Sequence, residues 1–372
     1  MRRDSFRPVR LGTCIALELA VAAGAAAGVW FSASRGAELA RGYFQGREAA
    51  AATVPFAPAA TLVPLERARL SITPPATPPA PDTVFGAPDR ELLAPVAATP
   101  VSKVKLNHGG SSLSLRLDFA SGARGAFKPL QIHPQSDPRR EIAAYRIDRL
   151  LGIGHVAPAK SAAFAIDDLV AAMEPSGRAH GASRIVDEAI PRHGKLVGEV
   201  SWWIPEIKAV RISGQLIDEA SGEALWAGYL QAGAARPVEL SPMLVQISTV
   251  ILFDVLIDNS DRWSGNNTQG SPDNRVLYFM DNTLAFSPFT LGHENNLSKL
   301  YRIQVFPRAL VGKLRALTVE AIQAALGGDD DLLGPLLTPV EIRAMIARRD
   351  HLIGYIDRLI AELGEAAVLA LP

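Results

Sequence analysis

The chain has 372 residues, enough for two ordinary domains or one larger domain with appendages, and 48% of them are hydrophobic, ample for a core. Lys plus Arg equals Asp plus Glu at 38 each, so no global field argues for nucleic acid or an anionic surface as the main partner. The single cysteine, Cys14, excludes an intrachain disulfide and a cysteine-based metal cage.

The first ten residues, MRRDSFRPVR, are basic, and residues 11–34 form an almost uninterrupted apolar run. That run is long enough to cross a hydrocarbon core of roughly 30 Å. It reads as a transmembrane signal anchor, with a cleaved signal peptide as the alternative because Glu18 and the Ala/Gly-rich middle weaken the span. Slightly more Lys and Arg precede the run than follow it, which favours a cytoplasmic N-terminus and a single-pass protein with an extracytoplasmic body. Residues 35–100 follow as an Ala/Pro-rich linker, semi-rigid and extended, with no helical or strand period.

The folded body is expected from about Ser102. Residues 112–119, SLSLRLDF, alternate cleanly, a glycine-containing turn follows, and residues 125–129 resume as a second strand carrying Lys128. Residues 141–151 place Ile142, Tyr145, Ile147, Leu150 and Leu151 at helical spacing, with Glu141 at the helix head. Residues 161–173 and 196–204 read as further strands, and residues 131–140 and 174–195 as loops. Residues 240–256 read as an apolar helix and residues 276–280 as a buried strand ending at Asp281. Thr318 and Thr338 are expected N-caps, Pro339 suits a first helical turn, and residues 339–363 are long and amphipathic. The order is a β-rich part of 101–205 followed by a helical part of 206–372, an α+β, two-lobed organisation.

Residues 253–282 string Asp261, Asn266 and Asp281 around one turn and one apolar segment. The offset from Asp261 to Asn266 equals that between Asp and Asn in a kinase catalytic loop, where Asp accepts a hydroxyl proton and Asn binds metal. Oxygen donors such as Asn266 and Asp281 suit a hard cation, Mg²⁺ or Mn²⁺. Upstream, Lys128 on a strand followed by Glu141 on a helix repeats the order of the kinase lysine that holds phosphates and the glutamate that orients it. Asp258, Ser260 and Arg262 fail the calcium-loop pattern, and His293-Glu294 lacks the second histidine of a zinc protease.

Taken together, the chain resembles the secretory-pathway (Golgi) casein kinase family, which includes a glycosaminoglycan xylosyl kinase. The motifs that carry the resemblance are GAFKP (125–129), EIAAYRIDRLLG (141–152) with VAP (156–158), GEVSWWIP (198–205), FDVLIDNSDR (253–262) and FMDNTLAF (279–286). It spans about residues 102–306 and implies a two-lobed protein-kinase-like fold and an atypical kinase that uses ATP with Mg²⁺ or Mn²⁺. By that resemblance Lys128 binds nucleotide phosphate, Glu141 orients the lysine and sits near the metal, Asp261 is the catalytic base, and Asp281 binds metal. Trp202, Trp203 and Ile204 would lie near the adenine. Eukaryotic relatives rely on paired cysteines that this chain lacks, which points to a bacterial branch. The implied acceptor is a hydroxyl of a protein or glycan. A nucleotide-binding pseudokinase scaffold and a phosphatidylinositol-kinase-like lipid kinase are the alternatives, the former because Trp263 is unusual at its position and no glycine-rich fingerprint is evident.

Overall fold

Large apolar residues alternating with polar ones build the N-terminal sheet. The computed structural model describes residues 83–107, 111–264, 267–328 and 332–372. The apolar run of residues 11–34, the linker up to residue 82, the HGG of residues 108–110 and Asn266 lie outside the described residues. In chain order the first elements are α1 (Asp89–Leu93), β1 (Val101–Leu106), β2 (Leu115–Phe119), β3 (Arg124–Pro129), α2 (Pro138–Leu150), β4 (Ala159–Ala165), α3 (Ile166–Ala171), α4 (Pro175–Glu188) and β5 (Lys195–Trp202). The five strands form one antiparallel sheet in the order β1-β2-β3-β5-β4.

Leu115, Leu117 and Phe119 on β2 and Phe127 on β3 fill one face of the sheet, with Leu196 and Val200 of β5 and Leu169 of α3. Strand period two then sends Ala126 and Lys128 to the opposite face. On β5, Glu199 pairs opposite Lys128 and Ser201 opposite Ala126, so these four share that face. Gly198 is required here, because a Cβ would lie 2.2 Å from the Lys128 carbonyl oxygen.

Helix α2 begins where the sequence provides a start signal. Asp137 caps it by accepting the Arg139 N–H at 3.1 Å, Pro138 occupies the first turn, and Glu141 follows in the same turn. Its buried Ile142 and Ile147 belong to a second, larger apolar cluster. Buried Asp148 accepts the N–H groups of Gly154, His155 and Val156 at 2.9, 3.0 and 3.2 Å, which fixes the turn leading into β4.

The remainder carries short strand pairs, β6 (Lys208–Ala209) with β9 (Gln269–Gly270) and β7 (Arg211–Ile212) with β8 (Gln215–Leu216), among helices. The helices are α5 (Ala220–Tyr229), α6 (Ser241–Ile257), α7 (Glu294–Leu300), α8 (Arg308–Ala316), α9 (Val319–Leu326), α10 (Pro339–Leu363) and α11 (Glu365–Val368). Helix α6 is apolar all round, the pattern of a core helix, and each of its buried Leu, Ile, Val or Phe side chains stabilises by ~1.5–3 kcal/mol. Among the described residues only Val238–Ile257 is long and apolar enough to cross a membrane, and 67% of that window is buried inside the protein. The expected caps are present: Thr318 accepts the Ala321 N–H, and Thr338 with Glu341 closes a reciprocal capping box on α10.

Several sequence expectations are corrected. The stretch from 83 to 100, read as linker, packs on the body: Val96 is fully buried, Phe85 stacks on Tyr278 at 5.7 Å, and Arg149 grips Asp89 through two bonds of 2.7 and 3.0 Å. Its proline content hid two apolar anchors and one ion pair. Residues 174–195 contain helix α4, not only loop, because Pro175 starts a helix and Ile185 anchors it in the sheet cluster. The strand read over residues 161–173 ends at Ala165 and turns into α3. Within residues 276–280 Leu277, Tyr278 and Phe279 are buried, but the segment forms no strand, since only Leu277 finds a bridge partner, in Gly270. Apolar burial, which the sequence displayed, did not specify a neighbouring strand.

Candidate active site

Lys128 is the hub. Its ammonium donates to Glu141 Oε1 at 2.6 Å and to Asp281 Oδ1 at 2.9 Å, joining β3, α2 and the chain after residue 280. Burial works against the lysine's charge, but Asp281 and Glu141 outweigh it and hold the ammonium far above its ordinary range. The Lys128 charge in turn keeps the Asp281 carboxyl below the usual carboxylate range, against the opposing effect of burial. Glu141 uses both oxygens: Oε1 also accepts the Asn282 N–H at 3.0 Å, and Oε2 the Asn282 side-chain amide at 3.2 Å. Asp281 Oδ1 also accepts the Thr283 hydroxyl at 3.0 Å. Asp281 has a left-handed backbone, φ 54°, which turns the chain sharply after the buried Phe279.

The second part starts where α6 stops. Asp258 closes the helix in the left-handed conformation, φ 58°, and its carboxylate accepts the His293 N–H at 2.6 Å. Asn259, fully buried, follows as a bracket: its side-chain amide donates to the Asp281 carbonyl at 3.0 Å and to Asn282 Oδ1 at 3.2 Å, while its Oδ1 accepts the Asp261 N–H at 3.3 Å. Asp261 is held at its carboxylate by the Ser264 hydroxyl at 2.5 Å and the Asn267 amide at 2.9 Å. Arg262 does not pair with Asp261. It turns inward to the buried Asp254 of α6, to Asn282 Oδ1 at 2.7 Å and to the Met280 carbonyl.

A cavity of about 850 Å³ opens against this constellation, within the range of small-molecule sites. Lys128, Glu141, Asp281 and Asn282 line it, as do the sequence candidates Trp203 and Ile204 at the end of β5. Asp261 is not on its wall; it is tied to the cavity through Asn259. A larger open groove of about 1760 Å³ runs beside β4, and none of Lys128, Glu141, Asp261 or Asp281 touches it.

The donor set fits a hard cation of the magnesium or manganese kind. Among the described residues no group of three or more His, Cys, Asp or Glu side chains converges on one point. Such ions keep several waters and are held by one or two carboxylates plus substrate phosphates. Glu141 and Asp281 provide two carboxylates on the cavity wall, brought together by one lysine.

Four residues escaped the sequence reading. Asn259 and Asn282 stand inside the quoted motifs, where polarity beside apolar runs was the available signal. Asp254 looked like one polar residue on an apolar helix. Glu199 is the most unusual: it is 1% exposed, lines the cavity, and its Oε1 has no hydrogen-bond partner. Burial first, then the negative charge of Glu141, pushes its carboxyl well above the usual range.

No protein-family model matches the sequence, and no curated protein does. Solved structures do match. The chain is similar to a crystal structure of the Golgi casein kinase, with TM-score 0.58, 16% identity and coverage of 76% of this chain and 78% of that one. The same values hold for the Golgi casein kinase with Mn and ADP bound. The structure of hydra Fam20 with sugar matches at TM-score 0.56 and 15% identity, covering 74% of this chain and 90% of that one. The fold is that of the Golgi casein kinase structures.

Proposed function

We propose that this protein is an atypical kinase that transfers the γ-phosphate of ATP to a hydroxyl of a protein or glycan. The observation that carries the reading is the half-buried lysine with two carboxylates, Lys128 with Glu141 and Asp281, on the wall of a nucleotide-sized cavity. The similar structures add support through what they hold, Mn and ADP in one and sugar in another.

Lys128 neutralises nucleotide phosphate charge, and Glu141 orients it, with Asn282 holding both Glu141 oxygens in place. Trp203 and Ile204 contact the nucleobase from the end of β5. Asp261 accepts the proton of the acceptor hydroxyl as its oxygen bonds to phosphorus; the bond from phosphorus to the bridging β-γ oxygen breaks, and ADP leaves with that electron pair. Asp281 and Glu141, together with Asn266, would hold Mg²⁺ or Mn²⁺, which supplies charge stabilisation on the phosphates when bound. The body carries residues 101–205 as small lobe and 206–372 as large lobe, with residues 83–100 packed on it, and the apolar N-terminal segment and the linker after it tether it to a membrane.

The experiment is metal-dependent phosphotransfer by the purified full chain, with Asp261→Asn alongside. Transfer is expected for the wild type and lost in the variant, with nucleotide binding retained. Undiminished transfer by the variant overturns the role of Asp261. A second reading, a nucleotide-binding pseudokinase, is favoured by the seat of Asp261 off the cavity wall, against Ser264 and Asn267. Nucleotide binding by the wild type without transfer to protein, sugar or lipid acceptors selects that reading.

A further inference from the structure

Glu199 is a buried acid on the cavity wall whose carboxyl is hydrogen-bonded to Ser201 and whose Oε1 has no hydrogen-bond partner. It stands directly across the β3–β5 ladder from Lys128, on the same face, where side chains of opposed residues are within reach of one another. Gly198 lets the two strands approach closely at this step. The residue is 1% exposed, and Oε1 is buried without a partner. Burying a polar atom unpaired is costly, so a structural filler would be better served by Leu or Met.

The two acids that hold Lys128 are also those placed to hold a divalent cation, and a cation drawn to their oxygens repels the ammonium now bonded to them. Both oxygens of Glu141 are engaged, Oε1 by Lys128 and the Asn282 N–H and Oε2 by the Asn282 amide, and Asp281 Oδ1 serves Lys128 and Thr283, so a cation arriving at these acids competes with the lysine for the oxygens that hold it. A further acceptor beside the lysine would keep it fixed while phosphate arrives. On its own face of the sheet Asp118 faces two arginines, Arg116 at 3.1 Å and Arg124 at 3.5 Å, whereas Glu199 stands opposite Lys128 itself and keeps Oε1 without a hydrogen-bond partner.

Resting on the kinase reading above, we infer that Glu199 is a positioning residue that receives the Lys128 ammonium when a divalent cation and nucleotide draw Glu141 and Asp281 away from it. Lys128 thereby stays aimed into the cleft in the loaded state.

The test measures calorimetric binding of Mn²⁺·ADP and of ADP alone to the full chain as wild type, Glu199→Gln, Lys128→Met and the double variant. Melting curves report folding, and Glu199→Leu serves as a filler control. Glu199→Gln is expected to weaken Mn²⁺·ADP about tenfold, the scale of one charge-assisted hydrogen bond. The change for ADP alone should be much smaller, and in the Lys128→Met background Glu199→Gln should add nothing. Glu199→Leu should show the same loss while melting no lower than wild type. Equal Mn²⁺·ADP affinity in wild type and Glu199→Gln overturns the inference alone, as does a full additional loss in the double variant. Failure of the wild type to bind Mn²⁺·ADP overturns the kinase reading and the inference with it.

Discussion

Replacing Arg262 with Met removes the tie between helix α6, the loop that carries Asp261 and the chain at Asp281. The guanidinium is fully buried and donates through Nε and Nη2 to Asp254 at 3.2–3.3 Å, through Nη2 to Asn282 Oδ1 at 2.7 Å and through Nη1 to the Met280 carbonyl. Met fills most of the volume, so the cost is electrostatic: Asp254, 1% exposed, is left as an uncompensated buried acid. Breaking one side of such a pair costs ~3–5 kcal/mol, and the orphaned Met280 carbonyl adds ~1–3 kcal/mol. Against a total stability of ~5–15 kcal/mol this is a large fraction. Burial already pushes the Asp254 carboxyl up to about 6, with Arg262 opposing. A raised folded value makes the protonated acid the stable buried form, so stability is greatest below the unfolded value and declines as pH rises through about 6. The Arg262→Met penalty should therefore be larger at pH ~8 than at pH ~5. Urea unfolding followed by circular dichroism at both pH values measures it. The paired change Asp254→Leu with Arg262→Met should recover at least half of the loss, because it removes the stranded acid. A single-variant loss below about 1 kcal/mol, or a double variant less stable than the single, would refute the reasoning.

Gly198→Ala should destabilise by at least ~1–3 kcal/mol, because the new methyl meets Lys128 backbone at 2.2 Å; a chemical denaturation midpoint equal to wild type counts against the close strand approach. Thr338→Ala should cost ~1 kcal/mol by opening the capping box on α10, and Thr338→Ser should restore most of it. In the metal-free protein, Glu199→Gln should raise the melting temperature by an amount that grows with pH. The wild-type carboxyl is raised by burial, so its folded state is favoured while protonated and loses stability as pH climbs through that raised value, whereas Gln does not titrate. A melting difference that is flat from pH ~5 to ~8 refutes this.

The strand with Lys128, the helix with Glu141 and the caps at Thr318 and Thr338 were legible because each rests on short-range rules: alternation, helical period, and an oxygen placed to take a free N–H. Helix α4 and the packed stretch around Phe85 were not, since their signals are weak locally and become decisive only when the sheet provides a surface. The expected strand before Asp281 failed for the same reason, as hydrogen bonding along a strand depends on a partner distant in sequence. The pairing of Arg262 shows this most plainly: its sequence neighbour is Asp261, yet folding hands it to Asp254, on the preceding helix, and leaves Asp261 to Ser264 and Asn267.

By itself the sequence determined which chemistry was available, because a strand lysine, a helix glutamate, a loop aspartate and a second aspartate in that order already suit phosphate, a hard cation and a hydroxyl proton. Only the tertiary structure decided which side chains meet. Lys128 and Asp281 lie far apart in the chain and touch at 2.9 Å, Asn259 and Asn282 turn out to be the brackets, and Glu199 is placed beside Lys128 by the β3–β5 register. Long-range contacts of this kind are selected by the closing of the whole apolar core, whose burial offsets the entropy of bringing distant segments together, and no local window of residues carries that information.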